Sequence, residues 1–481
     1  MPSRFLRDEL SLELSSPRGR ISTLVAAGRL DEALRVIERI VDDVFCEQLN
    51  TAEIFADAGL DAACQAIGAA SLVRLGPAPA VTPGGPPVFI ASMLQRSGGH
   101  TAVLADIARH TGQGATVLLT GVAGPTRLDK LAHLFRGIEP LRFEQAPRGD
   151  RAGKLAWLQS RLRTLAPLTV WLVNHHADSV AVAAVQPDQG YLLKYLHHGD
   201  HHLCLGVTLP LGEHYDPHAM GFYNCREVLR RPDNRYLPMA VPPGASAPEV
   251  AAEERPLVTC TAAGSNKIEH AYWPAYADVL AELLVATGGT HVHIGALSRG
   301  YRWRMQRALA GHGVDPARLR YIPFVPSVSA AVKELGVDLY LSSFPYAGAR
   351  TLIEVMSAGI PTAAHDHNGS RFLSAMDMLP PGSCVWSRPE ELVTFVQCAS
   401  RSDLQARGSQ ALAHYERFHT PEAMQAALDG NDRATELPSS PFLHRPDLLL
   451  QGLRRAREVS FSGLVIRLVR RWGRRVRASL A

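Results

Sequence analysis

Apolar side chains recur at helical spacing near the start of the chain: in STLVAAGRLDEALRVIERIVDDVF, residues Leu30, Ala33, Leu34, Ile37, Ile40 and Val41 share one face. The spacing predicts helices over 21–72. The phrase GRLDEAL has the form of a helical-repeat unit, but it occurs in one convincing copy, so no repeat array is expected. Proline and glycine crowd 76–87 and predict a linker. From there the period changes. Short apolar runs at 88–91, 115–119, 168–173, and then 192–195 or 203–207, read as buried strands, with helical stretches such as 101–110 and 153–165 between them.

A second linker-like break covers 242–255, and a second alternating series follows it. Strands are expected at 257–260, 291–294, 319–322, 339–341 and 362–364, with helices at 273–287, 301–311 and 351–358. Alternation of this kind implies an α/β chain with two mostly parallel, doubly wound sheets in tandem. The expected division is a helical extension over 1–80, Rossmann-like domains over 81–240 and 255–430, and a helical basic tail over 431–481. Ligands of such sheets bind outside the carboxyl ends of the strands, so the gap between the two domains is the expected place for one.

Composition narrows the class. The chain has 481 residues, 46% of them hydrophobic, enough for two or three full cores. A formal net charge of +4 is small for that length and gives no reason to expect a nucleic-acid partner. The seven cysteines are scattered and never spaced C-x-x-C, which argues against a disulfide framework or zinc knuckle and suits a reducing compartment. The start, MPSRFLRDELSLELSS, carries charges where a signal peptide needs an apolar core, and no window reaches the length of a membrane span. A cytoplasmic protein is expected, with contact to the inner face of the cell membrane left open.

The segment DLYLSSFPYAGARTLIEVMSAGIPTAAHDHNGSRFLS, 338–374, is the most informative. A strand runs into Phe344-Pro345, a loop with Gly348 follows, and a helix is expected to start near Thr351. Unpaired N–H groups and the dipole at such a start suit a phosphate, Thr351 adds a hydroxyl, and Glu354 on the first turn can accept from ribose hydroxyls. Taken alone, a glycine turn and a helix-capping glutamate describe the same residues. The full string resembles the donor site of GT-B glycosyltransferases, and specifically that of the O-linked N-acetylglucosamine transferase and SPINDLY group. Phe344, Pro345, Tyr346, Gly348, Thr351, Glu354, Gly359, Pro361, Ser370 and Arg371 match that group's phrase. Arg350 departs from it, standing where a small polar residue is usual; a charged donor can take over that contact.

The resemblance implies two Rossmann-like domains facing across a cleft and a nucleotide-sugar donor, with a UDP-sugar expected and no further cofactor. It implies that the turn after the first strand of the second domain, LVTCTAAG ending at Gly264, presents Lys267 to the donor diphosphate; a solvated surface lysine is the alternative. It also places YIPFVPS, with Phe324, against the nucleobase. In the first domain SMLQRSGGHT sets Gly98, Gly99 and His100 directly after a strand, a close backbone approach that many GT-B enzymes turn toward the cleft. The string is not G-x-G-x-x-G, so a nicotinamide dinucleotide is not expected.

Histidines are dense in NHHAD (His175, His176, Asp178) and HHGDHH (His197, His198, Asp200, His201, His202), at two predicted strand ends. An inverting transfer needs a base for the acceptor hydroxyl, and imidazole has the right intrinsic pKa when a carboxylate orients it. His198 or His201 with Asp200 are the first candidates, with His176 lining the acceptor side. A metal site of imidazoles and carboxylates is the alternative, but the spacing matches no H-E-x-x-H pattern, and no metal is assigned. Retaining relatives often carry a glutamate eight positions before the one matched by Glu354; Tyr346 stands at that place here and Ala347 beside it, neither a glutamate, which favours inversion.

From Phe461 onward, the residues Phe461, Leu464, Val465, Leu468, Trp472, Val476 and Leu480 fall on one arc of a helix and Arg467, Arg470, Arg471, Arg474 and Arg477 on the other. That pattern fits an interfacial helix on anionic lipid, or a helix packed on the protein with a solvated outer face. The expected activity is sugar transfer to a hydroxyl of a cell-envelope or lipid-linked glycan. A protein acceptor, a sugar-nucleotide epimerase of the same fold and a non-catalytic adaptor are the competitors.

Overall fold

The computed structural model describes residues 18–46, 53–77, 84–95, 99–112, 114–210, 212–244, 255–437 and 445–459. The chain divides into two compact units, Met1–Pro238 with Gln425–Ser439 and Met239–Met424 with Ser440–Ala481.

In the first unit seven strands form one sheet: β1 (Val88–Ala91), β2 (Ala115–Leu119), β3 (Leu141–Gln145), β4 (Thr169–Val173), β5 (Leu192–Leu196), β6 (Glu213–Asp216) and β7 (Asn234–Tyr236). They lie in the order β3-β2-β1-β4-β5-β6-β7, every neighbouring pair parallel. β1 and β2 are buried throughout, which is why their sequences are apolar runs interrupted only by Thr116. The order reverses between β1 and β4, so the loops leaving their carboxyl ends lie side by side.

Two expectations need correction. Residues 203–207 form no strand; Leu203, Leu205 and Val207 are apolar because they pack as a turn into the core beside Tyr195. β3, β6 and β7 escape the hydrophobic pattern because LRFEQ, EHYD and NRY are polar: β3 and β7 are edge strands, while β6 buries His214 and Asp216.

Helices Leu30–Cys46 and Ala58–Leu75 share that core. Leu34, Ile37, Val41 and Ile67 join one buried cluster with Leu155, Leu158, Val180, Val88, Ile90 and Val170. Polar ties fix the register: Arg151 pairs with Glu38 at 3.2 Å, and the Asp61 carboxylate accepts from the backbone N–H of Gly206 and Thr208 at 2.7 and 2.9 Å. Gly68 lets the second of these helices touch its neighbour, since a Cβ there would stand 1.9 Å from the Ala183 carbonyl oxygen. Gly68→Ala is expected to destabilise the first unit by roughly 1–3 kcal/mol, read as a lower denaturant midpoint at unchanged slope. An unchanged midpoint would show that the helices separate without cost.

The second unit repeats the plan with β8 (Val258–Ala262), β9 (Thr290–Ile294), β10 (Leu319–Ile322), β11 (Leu339–Leu341), β12 (Thr362–His365) and β13 (Cys384–Trp386), all parallel in the order β10-β9-β8-β11-β12-β13. The reversal falls between β8 and β11. One face of the sheet packs Leu280, Leu284, Leu341 and Trp386, the other Val292, Val332, Tyr340 and Val355. The helix expected from residue 273 starts at Tyr276, beyond Pro274. Helix Pro446–Val459 follows Arg445, which grips Asp366 with two nitrogens, and carries Arg455 over the Trp273 ring at 4.4 Å. The amphipathic segment from Phe461 lies outside the described residues. Among the described residues no helix is long and apolar enough to cross a membrane.

A polar chain runs through the second core. Thr259 Oγ1 meets His291 Nδ1 at 2.9 Å, and the Tyr276 hydroxyl lies 3.0 Å from both His291 Nε2 and His293 Nδ1. Burial lowers the pKa of His291 to about 3, and of His293 and His365 to about 4. These imidazoles are neutral in the fold but take a proton near pH 6.5 once unfolded, so their contribution is present above pH 6.5 and is lost as pH falls toward 4. Glu38, raised to about 7 by burial, acts in the opposite direction in the first unit. The melting temperature of the second unit is expected to fall between pH 6.5 and 4 by an amount equivalent to several kcal/mol, on the order of 1.4 kcal/mol per pKa unit as an upper bound. A flat profile in that window, followed by calorimetry, would contradict the neutral state of this chain.

Candidate functional site

Three loops meet at the carboxyl ends of the second sheet. The loop after β8 carries Gly264 and Lys267, the loop after β11 carries Phe344 to Gly348, and the loop after β12 carries His367 to Ser370. Backbone hydrogen bonds join them: Tyr346 N–H donates to the Lys267 carbonyl at 3.3 Å, and Ala347 N–H to the Leu373 carbonyl at 2.9 Å. The switch point between β8 and β11 thus brings Gly264, Lys267 and Gly348 together, as the sequence expectation requires.

Gly264 caps the helical turn Ser265–Ile268, on which Lys267 stands. Lys267 is half-buried, and burial pulls its pKa below the usual lysine value. Among the described residues no carboxylate pairs with its ammonium. A desolvated cation with no counter-ion attracts an anion.

Gly348 is the N-cap of helix Ala349–Ser357 and offers no side-chain cap. The helix therefore begins two residues before Thr351, and Glu354 lies on its second turn rather than its first. The physical reason is that Gly348 and Ala349 carry no capping signal, whereas Thr351 mimics one. Glu354 accepts from the Val328 N–H at 2.9 Å, capping helix Val328–Glu334, and its pKa is raised by burial. It thus tethers the helix that follows the loop bearing Phe324, an aromatic residue 49% exposed. Arg350 Nη1 donates to the Ala240 carbonyl at 2.8 Å, so part of its guanidinium is already committed.

Two histidines of this site went unnoticed in the sequence. His270 meets Tyr346 edge-on at 4.6 Å, and His367 Nδ1 accepts from the N–H groups of Gly369 and Ser370 at 2.9 and 3.1 Å. His367 lies inside the informative segment; His270 had no local signal at all.

In the first unit, Gly99 opens helix Gly99–Thr111 directly after the β1 loop; Gly98 lies outside the described residues. His100 Nε2 donates to the Val173 carbonyl at 2.8 Å and burial brings its pKa to about 4, so its ring is neutral. The His198 ring lies 4.9 Å from it, and burial followed by the neighbouring imidazoles holds its pKa well below 6.5. The glycine loop and HHGDHH are therefore adjacent. His201 is more exposed and sets Nδ1 3.5 Å from Asp200 Oδ1, while Asp200 is buried against Gly221. His176 stacks on Phe45 at 4.5 Å and meets His202 at 4.6 Å; its pKa too lies well below 6.5 through burial. Phe45 and its helix thus close off one side of the cluster, which places His176 as packing around it.

A second group in this unit was not foreseen: His214, Asp216 and Cys225 gather around His197, all four fully buried. The only signal was His-x-Asp, two residues on one face of a strand.

No family model matches the sequence, and no curated protein sequence matches it. Solved structures do. Anabaena HepE in complex with UDP-glucose superposes with a TM-score of 0.53 at 15% identity, over 72% of this chain and 98% of that one. The lipopolysaccharide outer core galactosyltransferase WaaB gives 0.50 at 13%, over 72% and 99%. A Rickettsia africae glycosyltransferase gives 0.54 at 9%, over 74% and 100%. The chain has the GT-B fold, with two Rossmann-like domains.

Proposed function

We propose that this chain is a glycosyltransferase of the O-linked N-acetylglucosamine transferase and SPINDLY type, moving a sugar from a nucleoside-diphosphate sugar to an acceptor hydroxyl. The observation that carries the reading is Lys267: a half-buried ammonium without a carboxylate partner among the described residues, at a switch point and bonded through its carbonyl to the loop that opens helix Ala349–Ser357. Lys267, Thr351 and the N–H groups of that helix end would take the negative charge that grows on the leaving diphosphate, a role a divalent cation plays in other transferases. Phe324 would stack on the base and Glu354, once its cap is shared, would hold the ribose. The UDP and UDP-glucose of the HepE structures favour a UDP-sugar.

On the acceptor side His201, oriented by Asp200, would take the hydroxyl proton as the anomeric carbon is attacked from the opposite face, giving inversion. His198 and His100, both neutral, would position the hydroxyl. The basic amphipathic pattern of 461–480 supports a lipid-linked or cell-envelope glycan as acceptor, met at the cytoplasmic face of the membrane.

A thermal-shift panel of UDP-, GDP-, ADP- and dTDP-sugars tests the donor. One nucleotide family is expected to raise the melting temperature with a concentration dependence that follows mass action. If no nucleotide shifts it at millimolar concentration, the donor assignment is wrong.

A further inference from the structure

We propose that His197, His214, Asp216 and Cys225 form a structural zinc site in the first unit. His197 leaves the end of β5, His214 and Asp216 point from one face of β6, and Cys225 sits in the helical turn Asn224–Val228. The four donor atoms lie within 4.8 Å of one another. His197 Nδ1 is 2.9 Å and His214 Nε2 3.2 Å from Asp216 Oδ1; Cys225 Sγ is 3.3 Å from both His197 Nδ1 and Asp216 Oδ1. Zinc at about 2.0–2.2 Å from nitrogen and oxygen and about 2.3 Å from sulfur spans tetrahedral edges of roughly 3.3–3.7 Å, so the hydrogen-bonded pairs need to open by a few tenths of an ångström and the more distant pairs to close by up to about 1 Å.

The chemistry of the set selects the ion. Imidazole, carboxylate and thiolate together suit zinc, and hard cations such as magnesium and calcium take oxygen instead. Two neutral imidazoles, one carboxylate and one thiolate carry a charge of about −2, which a divalent ion cancels in a place that water does not reach. Loading the site releases the thiol proton to solvent. Asp216 is oriented from behind: its Oδ2 accepts from Asn234 Nδ2 at 2.8 Å, and Asn234 also donates to the Phe222 carbonyl at 2.8 Å. Outer partners of this kind fix a ligating carboxylate. All four positions are protein side chains, so the ion would react with nothing. It would clip β5, β6 and the following turn together at the root of the loop that carries His198 to His202.

The experiment is metal analysis of the full chain purified without chelator and without a metal affinity step, then dialysed. About one zinc per chain is expected, with an X-ray absorption edge fitted by one sulfur at about 2.3 Å and three nitrogen or oxygen neighbours at about 2.0–2.1 Å. Cys225→Ser should reduce the zinc content at least tenfold, while Cys204→Ser, a buried thiol bonded to Tyr195 instead, should keep it. The absorption measurement needs only the native chain, so a Cys225 variant that fails to fold does not decide the matter. Zinc below a tenth per chain, with no uptake of added zinc or cobalt and no change in melting temperature, overturns the proposal. So does a first shell without sulfur. Sugar transfer is not the readout, and Lys267→Ala should retain the zinc, so this proposal and the donor assignment stand or fall separately.

Discussion

Lys267→Ala is expected to lower kcat for sugar transfer by about 10²–10³-fold, the size of effect seen when one preorganised donor to a developing anion is removed. The nucleotide-induced rise in melting temperature should vanish with it. The argument is electrostatic: leaving-group charge grows next to a half-buried ammonium whose pKa burial already depresses, so an arriving diphosphate relieves a cost as well as gaining an attraction. Because no ion pair is broken, the ligand-free variant should melt no lower than the native chain. Lys267→Met, which keeps the apolar stem, should behave like alanine in turnover. Retention of turnover to within threefold in both variants would remove Lys267 from the donor site.

His201→Ala is expected to cost about 10²–10⁴-fold in kcat/KM, the usual contribution of a general base. Asp200→Asn should lose most of the same factor, and the double variant should be no worse than His201→Ala alone, because the carboxylate acts only through the imidazole it faces at 3.5 Å. The pH profile separates this from a packing role. With His201 as base, kcat/KM falls as pH drops through that imidazole's pKa, and the fall disappears in His201→Ala. His198 and His100 add no limb near neutrality, because burial keeps their pKa values well below 6.5 and at about 4. Additive losses in the double variant, or an acid limb that survives removal of His201, would move the base elsewhere.

The candidate donor segment stood out in the sequence because its parts are contiguous. A strand end, a glycine turn, a helix start and a second turn must follow one another within 344–371, so the chemistry leaves a string. Lys267 was legible as the residue after a strand and a small-residue turn. The start of helix Ala349–Ser357 was misplaced because Gly348 caps by conformation, not by a side chain. Strands β6 and β7 were hidden for a related reason: EHYD and NRY satisfy buried polar groups through partners elsewhere in the chain, such as Asn234 on Asp216, and no hydrophobic period records such a pairing. His214, Asp216 and Cys225 lie up to 28 positions from His197, and the parallel pairing of β5 with β6 and the helical turn Asn224–Val228 bring them to it. The register of HHGDHH against the glycine loop, through His198 and His100, likewise belongs to topology.

The shared core of the N-terminal helices and the first sheet bears on how the chain can be cut. Leu34, Ile37, Val41 and Ile67 lie in one buried cluster with Leu155, Leu158 and Val180 of helices Arg151–Leu165 and Ser179–Ala184 and with Val88, Ile90 and Val170 of the sheet. A truncation beginning at β1, the natural choice if the helices are taken for an appendage, strips the cover from helices Arg151–Leu165 and Ser179–Ala184 and leaves Gly206 and Thr208 without the carboxylate that holds them. A fragment carrying both sheets is therefore expected to fold only if it begins before Leu30.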